Sequence, residues 1–105
     1  MRKHADEKAL FFSAKLRERI GPTLRQVILF GSRARGEAHE GSDYDFTVIV
    51  TRKDPKIREM VLKTEVEFLD RFDELSSCLV FDEAGWELRK SFPIGINILR
   101  EGIQL

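Results

Sequence analysis

The sequence predicts an α/β (α+β) fold, in which helices separate the strands and the elements pack in layers. Three observations indicate this fold: a continuous apolar run at residues 27–30, alternating polarity over residues 43–50, and apolar residues at helical spacing in the stretches between strands. The length of 105 residues is that of one domain with a modest core. We therefore expect residues 1–105 to form a single domain.

The first part of the chain is predicted to contain a helix, a buried strand and a short second helix. Apolar residues at helical spacing favour a helix over about residues 5–20, which Gly21 ends. The apolar run at 27–30 is typical of a strand that is buried on both faces. Ser32 is suited to cap a short helix that reaches about Gly36.

The middle of the chain is predicted to form a strand and a long helix. Side chains alternate over residues 43–50, which places Asp43 and Asp45 together on one face of the strand. Asp54-Pro55 then opens a helix that reaches about Leu75. The apolar residues of this helix form two adjacent stripes. The core stripe is Ile57, Met60, Val61, Thr64, Phe68, Phe72 and Leu75, and the second stripe is Leu62, Val66 and Leu69.

The last part of the chain is predicted to hold a third strand and two helices. Residues 78–82 favour a strand, and the short helix that follows it carries Trp86 onto the core. A last helix is favoured over about residues 92–100, since Pro93 is suited to open it and Gly102 to close it.

Composition restricts the location and the partners of the chain. Lys plus Arg and Asp plus Glu each number 18, so the formal net charge is zero, which disfavours a long nucleic acid as partner. The single cysteine, Cys78, excludes a disulfide framework and fits a reducing compartment. No apolar run approaches the ~20 residues of a membrane span, and Met1–Asp6 lacks the apolar core of a signal peptide. We expect a cytoplasmic protein that does not associate with membranes.

The segment from Phe30 to Gly36 joins the buried strand to a helix and has the features of an anion site. Gly31 allows the backbone to bend and to approach a ligand closely. The first amides of a helix lack internal partners and bind anions readily. Ser32 adds a hydroxyl, and Arg33 and Arg35 add cationic donors suited to phosphate. The alternative is an ordinary capped helix with two solvated arginines.

The two aspartates of the second strand are candidate metal ligands. Asp43 and Asp45 lie on one face with Cα atoms about 6–7 Å apart, where two like charges repel. A divalent cation between them would reverse that interaction, and Mg²⁺ commonly combines one or two carboxylates with substrate phosphates. The alternative is that Asp43 ends a turn and Asp45 faces water.

Together the two segments read Gly31-Ser32, ten intervening residues, and then Asp43-Tyr44-Asp45. This pattern resembles the signature of the minimal nucleotidyltransferases (MNT) of the DNA polymerase β-like superfamily. The resemblance implies a small mixed sheet flanked by helices. It also implies that Gly31 and Ser32 hold a nucleoside triphosphate, with ATP expected, while Asp43 and Asp45 bind Mg²⁺. Arg33 and Arg35 are the further nucleotide-binding candidates.

The sequence departs from the family at one position. Polymerase β-like enzymes typically use a third carboxylate on a later strand, beside the first two. Here the expected position holds Ser77, which is a poor base at neutral pH. Asp82 lies at the far end of the same strand, where capping the next helix is the simpler role. Nucleotide and metal binding are therefore better supported than turnover.

Three functions remain open from the sequence. The resemblance implies a Mg²⁺-dependent transferase that modifies a HEPN-domain partner, as the antitoxin of a toxin–antitoxin pair. The second is an antitoxin that neutralises its partner by contact with little or no catalysis. The third is a transferase that acts on a small acceptor such as an aminoglycoside, in a pocket that a homo-oligomer would complete. The second stripe of the long helix is either a broad core contact or an interface.

Overall fold

The computed structural model describes residues 5–105 and shows a four-stranded mixed sheet with helices on both faces. Residues 1–4, which begin the segment considered above for a signal peptide, lie outside this range. The helices are α1 (Glu7–Ile20), α2 (Ser32–Arg35), α3 (Pro55–Phe72), α4 (Glu83–Arg89) and α5 (Pro93–Glu101), with a 3₁₀ turn at Gly21–Thr23. The strands are β1 (Leu24–Phe30), β2 (Tyr44–Val50), β3 (Ser76–Asp82) and β4 (Ile103–Gln104).

The strand order in the sheet is β3-β2-β1-β4. β1 pairs antiparallel with both β2 and β4, while β2 and β3 are parallel. The parallel pair requires a crossover connection, which α3 provides. This order brings the end of β1 and the starts of β2, β3 and β4 to the same end of the sheet.

Each face of the sheet packs against its own pair of helices. On the face covered by α1 and α3, the rings of Phe12 and Phe46 stack with centroids 4.1 Å apart, and Phe68 meets Phe12 edge-on at 5.7 Å. The opposite face is covered by α4 and α5, which bury Trp86 and Ile98 against it. The predicted alternation of β2 and the core position of Trp86 are confirmed.

Aspartates begin three of the helices. Asp6 caps α1, Asp54 caps α3 and Asp82 caps α4, each through a carboxylate oxygen that accepts a backbone N–H bond near the start of the helix. These caps satisfy amides that have no partner within the helix, and each contributes about 1 kcal/mol to stability. Asp82 is therefore a capping residue.

Several sequence predictions require correction. Helix α3 ends at Phe72 because Asp73 adopts a left-handed conformation with φ 55°, so Leu75 lies outside the helix and is 59% exposed instead of in the core. The N-cap of α2 is Gly31 and not Ser32. β1 begins at residue 24 and β3 at residue 76, earlier than expected. β4 was not predicted at all, since two residues carry no periodicity.

The second stripe of α3 does not contact the core. Leu62, Val66 and Leu69 are 59%, 50% and 39% exposed, respectively. The interpretation of this stripe as a broad core contact is therefore wrong. Within residues 5–105, no helix combines the length and the apolar character needed to cross a membrane.

The aromatic cluster gives the fold a direct test. Phe68→Ala removes a fully buried ring that meets four other rings, those of Phe12, Tyr44, Phe46 and Phe72. We expect it to lower the free energy of unfolding by about 3–5 kcal/mol in urea denaturation. Leu62→Ala, on the exposed side of the same helix, is the control and should cost less than about 1 kcal/mol. Equal losses from the two substitutions would contradict the packing described here.

Candidate functional site

The residues of the predicted motif meet at one end of the sheet. The antiparallel register of β1 and β2 pairs Phe30 with Asp45, and the parallel register of β2 and β3 pairs Asp45 with Ser77. Gly31 follows directly after Phe30 and leads into α2. The sheet itself therefore brings together two chain segments that are ten residues apart in the sequence.

Gly31 is required at its position by both conformation and space. Its φ of 74° and ψ of −160° lie in a region that only glycine adopts readily. A Cβ atom at this position would overlap the Oδ2 atom of Asp45. The carboxylate of Asp45 thus packs directly against the backbone of Gly31 and brings the two halves of the motif into contact.

Asp43 lies directly before β2, and its charge acts on Asp45, the second residue of that strand. Asp43 is exposed and Asp45 is half-buried. Burial raises the pKa of Asp45, the nearby charge of Asp43 raises it further, and Arg35 opposes both effects. Two carboxylate groups that disfavour each other's charge are the donor set that a divalent cation stabilises. In residues 5–105, no cluster of three or more His, Cys, Asp or Glu side chains is arranged to hold a metal ion.

Helix α2 presents backbone amides next to this carboxylate pair. The Gly31 carbonyl accepts hydrogen bonds from Ala34 and Arg35, at 3.1 Å each, and Gly36 ends the turn in a left-handed conformation. The helix has only four residues, so its dipole adds little. What the helix could offer an anion is its individual N–H groups and the Ser32 hydroxyl.

The two arginines of the motif point to different parts of the molecule. Arg33 donates to the Ser42 carbonyl and to Glu74, both at 2.9 Å, and its guanidinium lies 4.5 Å from the ring centroid of Tyr44. These contacts hold the loop that leads to Asp43. Arg35 is exposed and pairs with Glu37 and Glu101 beside Gly31.

Glu101 belongs to the site, although sequence reasoning missed it. Its Oε1 atom accepts a hydrogen bond from the Gly31 N–H at 3.1 Å, and its Oε2 atom pairs with Arg35 at 3.0 Å. Burial alone would raise the pKa of Glu101, but the hydrogen bonds from Arg35 and Gly31 outweigh it and lower the pKa. Glu101 is the last residue of α5, and the β1–β4 pairing that follows it holds this end of the helix beside Gly31. So short a strand gives no signal in the sequence.

The position beside the aspartates holds a serine. Ser77 is paired with Asp45 and is exposed, as expected from the sequence. Asp82 is paired with Val50 at the other end of β3, and its side chain caps α4. His39 is exposed in the loop between the two motif halves, where its ring Nδ1 lies 3.0 Å from the Glu40 carbonyl.

Comparison with known proteins gives one family and several similar folds. The family model described as "Polymerase beta, Nucleotidyltransferase" matches residues 15–102. No curated protein matches the chain. Among solved structures, a mutant MntA–HpeT toxin–antitoxin complex matches at 19% identity with a TM-score of 0.64, over 94% of this chain and 72% of that chain.

Two further toxin–antitoxin structures have the same fold. One was solved with AMP-PNP and matches at 22% identity with a TM-score of 0.61, over 94% of this chain and 72% of that chain. The other is a tri-AMPylated Shewanella oneidensis HEPN toxin in complex with an MNT antitoxin. It matches at 19% identity with a TM-score of 0.54, over 92% of this chain and 70% of that chain. At these identities, the likeness is one of fold.

The contact between Gly31 and Asp45 can be tested with a pair of glycine substitutions. Gly31→Ala adds a methyl group that overlaps Asp45 Oδ2, whereas Gly36→Ala meets nothing within 4 Å and should cost only the strain of a left-handed residue, about 1–2 kcal/mol in urea denaturation. The two glycines share a φ of 74° but differ in ψ, which is −160° at Gly31 and 20° at Gly36, so part of the larger loss that we expect from Gly31→Ala is backbone strain. The contact itself is isolated by Asp45→Ala, which makes room for the methyl group, so Gly31→Ala should cost less in the Asp45→Ala background than in the wild type. The same cost in both backgrounds would show that Asp45 does not pack on Gly31.

Proposed function

The chain belongs to the polymerase β nucleotidyltransferase family, and from this premise we propose that it transfers AMP from ATP to a HEPN-type partner protein, as the antitoxin of a toxin–antitoxin pair. The observation that carries the proposal is the packing of Gly31 against Asp45, beside Asp43. Further support comes from the similar folds, which include an MNT antitoxin in complex with a tri-AMPylated HEPN toxin.

Mg²⁺ is the metal that we propose for this site, with Asp43 and Asp45 as its ligands. The coupling of the two carboxylates and the burial that raises the pKa of Asp45 fit a divalent cation. When bound, the metal neutralises phosphate charge and orients the phosphoryl groups.

The residues of the chain itself have distinct roles in the proposal. The Gly31 N–H and the Ser32 hydroxyl bind phosphate oxygens, and Arg35 compensates phosphate charge from its exposed position. Arg33 was expected to contact the nucleotide, but we propose that it acts through the loop that it bonds at the Ser42 carbonyl. Arg33 thereby fixes the conformation of the loop that leads to Asp43.

The proposed transfer is a displacement at the α-phosphorus of ATP. A hydroxyl oxygen of the partner forms a bond to the α-phosphorus of ATP, and the bond from that phosphorus to the bridging oxygen breaks. Pyrophosphate leaves with the electron pair, and the hydroxyl proton passes to water. Ser77, the residue paired with Asp45, does not accept a proton at neutral pH. Because Ser77 stands where a carboxylate is expected, the proposed transfer reaction is slow.

A partner surface is available on the outer side of α3. Leu62 and Val66 are half or more exposed, and Leu75 continues the apolar surface beyond the end of the helix. An apolar row of this kind is typical of a protein–protein contact. We assign it to the partner protein.

One observation favours a second function, in which the antitoxin neutralises its partner by contact alone. Ser77 occupies the position where the family's third carboxylate is expected, so nucleotide and metal can bind without efficient transfer. The small-molecule acceptor has no comparable observation in its favour.

Nucleotide and metal binding is tested by thermal denaturation. Mg²⁺ with ATP at about 100 times its Kd should stabilise the chain by roughly 2.7 kcal/mol, which raises Tm by about 10 °C or more in a domain of this size. Asp43→Asn combined with Asp45→Asn should abolish this rise. The same variant should melt a few degrees higher than the wild type without ligand, because the repulsion between the two carboxylates is gone. A wild-type response that persists in the double variant would refute the metal site.

Transfer is tested with the partner protein present. The chain is incubated with its co-purified partner, Mg²⁺ and ATP labelled at the α-phosphate. We expect covalent label on the partner by mass spectrometry and none with the Asp43→Asn, Asp45→Asn variant. An unlabelled partner, together with intact nucleotide binding and neutralisation, would select the contact antitoxin instead.

A further inference from the structure

The carboxylate of Glu101 has the contacts that a phosphate group would make at this site. One oxygen accepts the Gly31 N–H at 3.1 Å and the other pairs with Arg35 at 3.0 Å. Carboxylate and phosphate oxygens use the same donors, and both pair with a guanidinium in this way. An acidic side chain of the chain thus occupies two of the donors that the proposed function assigns to nucleotide.

We propose that Glu101 is a gate on the nucleotide site: it competes with the triphosphate for Gly31 and Arg35, and nucleotide enters only when the Glu101 side chain turns away. The inference rests on the proposed function, because it concerns the same phosphate-binding residues. It adds a residue that controls nucleotide affinity to those that bind nucleotide and metal.

Glu101 and a phosphate group compete because they require the same hydrogen-bond donors. The Gly31 backbone has one N–H, which cannot serve Glu101 and a phosphate oxygen fully at the same time. Glu101 also adds negative charge near Asp45, as its effect on the pKa of Asp45 shows. A triphosphate bound here would lie near three carboxylates, those of Asp43, Asp45 and Glu101. The repulsion that it experiences falls most when the Glu101 side chain turns away. Arg35 retains Glu37 as a partner when Glu101 turns away.

The fold holds the backbone of Glu101 in place. Glu101 is the last residue of α5, and two residues later β4 pairs Ile103 with Leu29 of β1. Gly102, between them, lies in a close approach, since a Cβ there would overlap Ile28 and the Ile98 carbonyl. The Glu101 side chain is only 17% exposed where it contacts Gly31 and Arg35. In the proposal, the gate opens by rotation of this side chain toward solvent, without a change in the sheet.

Glu37 provides a matched control for charge. It pairs with Arg35 at 2.6 Å, on the other side of the guanidinium from Glu101, and its side chain is 62% exposed. Glu37→Gln removes one negative charge and one Arg35 partner and leaves the bond between Glu101 and Gly31 in place. Glu101→Gln also removes one negative charge, and it replaces the charged acceptor of the Gly31 N–H with a neutral, weaker one. Only the second variant opens the gate.

The experiment measures binding of Mg²⁺–AMP-PNP by isothermal titration calorimetry, in the wild type, Glu101→Gln, Glu37→Gln and the Asp43→Asn, Asp45→Asn variant. We expect Glu101→Gln to bind about three- to tenfold more tightly than the wild type, and Glu37→Gln to stay within about twofold. The melting temperatures without ligand establish that each variant is folded. Glu101→Ala, which removes the acceptor entirely, should bind at least as tightly as Glu101→Gln.

The other outcomes are each decisive. Unchanged or weaker binding in both Glu101 variants, with wild-type binding that still depends on Asp43 and Asp45, overturns the gate and leaves the proposed function intact. Equal gains in affinity from Glu37→Gln and Glu101→Gln would show that net charge alone sets the affinity, which also overturns the gate. Binding that is independent of the aspartates, or absent from every variant, refutes the nucleotide site and the gate together. Binding that appears only in Glu101→Gln and Glu101→Ala supports the gate.

Discussion

The site depends on one close contact, that of the Asp45 carboxylate with the backbone of Gly31. The contact requires a residue without a side chain directly after β1 and an acid at the second position of the antiparallel neighbour, β2. It also determines the electrostatics, because packing against Gly31 takes Asp45 partly out of water and raises its pKa. Backbone geometry thus holds together the residues that we propose as phosphate donors and metal ligands, and the rest of the fold preserves that geometry.

The stability of the site comes from elements that lie away from it. The aromatic cluster of Phe12, Phe46 and Phe68 fixes α1 and α3 against one face of the sheet, while α4 and α5 close the other. The short β4 then places Glu101 against Gly31. The repulsion between the Asp43 and Asp45 carboxylates disfavours the free site and would be relieved by the metal in the proposed function. The Glu101 contact instead stabilises the free site and must be given up when nucleotide binds.

Sequence reasoning succeeded where a local pattern carries the information. Alternation over β2 and the apolar run of β1 predicted two strands, and the Gly31-Ser32 to Asp45 spacing predicted the family. It failed where the structure depends on contacts distant in sequence. The end of α3 is decided by one left-handed residue, Asp73, and the exposure of the second stripe depends on which face the sheet occupies. Glu101 reaches Gly31 through the β1–β4 pairing, which no local pattern encodes.

The central claim is that Gly31, Asp43 and Asp45 form one nucleotide and metal site from which Glu101 must withdraw. A crystal structure of the chain with Mg²⁺ and AMP-PNP tests it most directly. We expect the cation between Asp43 and Asp45, a phosphate oxygen on the Gly31 N–H, and the Glu101 carboxylate turned away from that donor. Nucleotide bound elsewhere, or bound here with Glu101 still on Gly31, would contradict it.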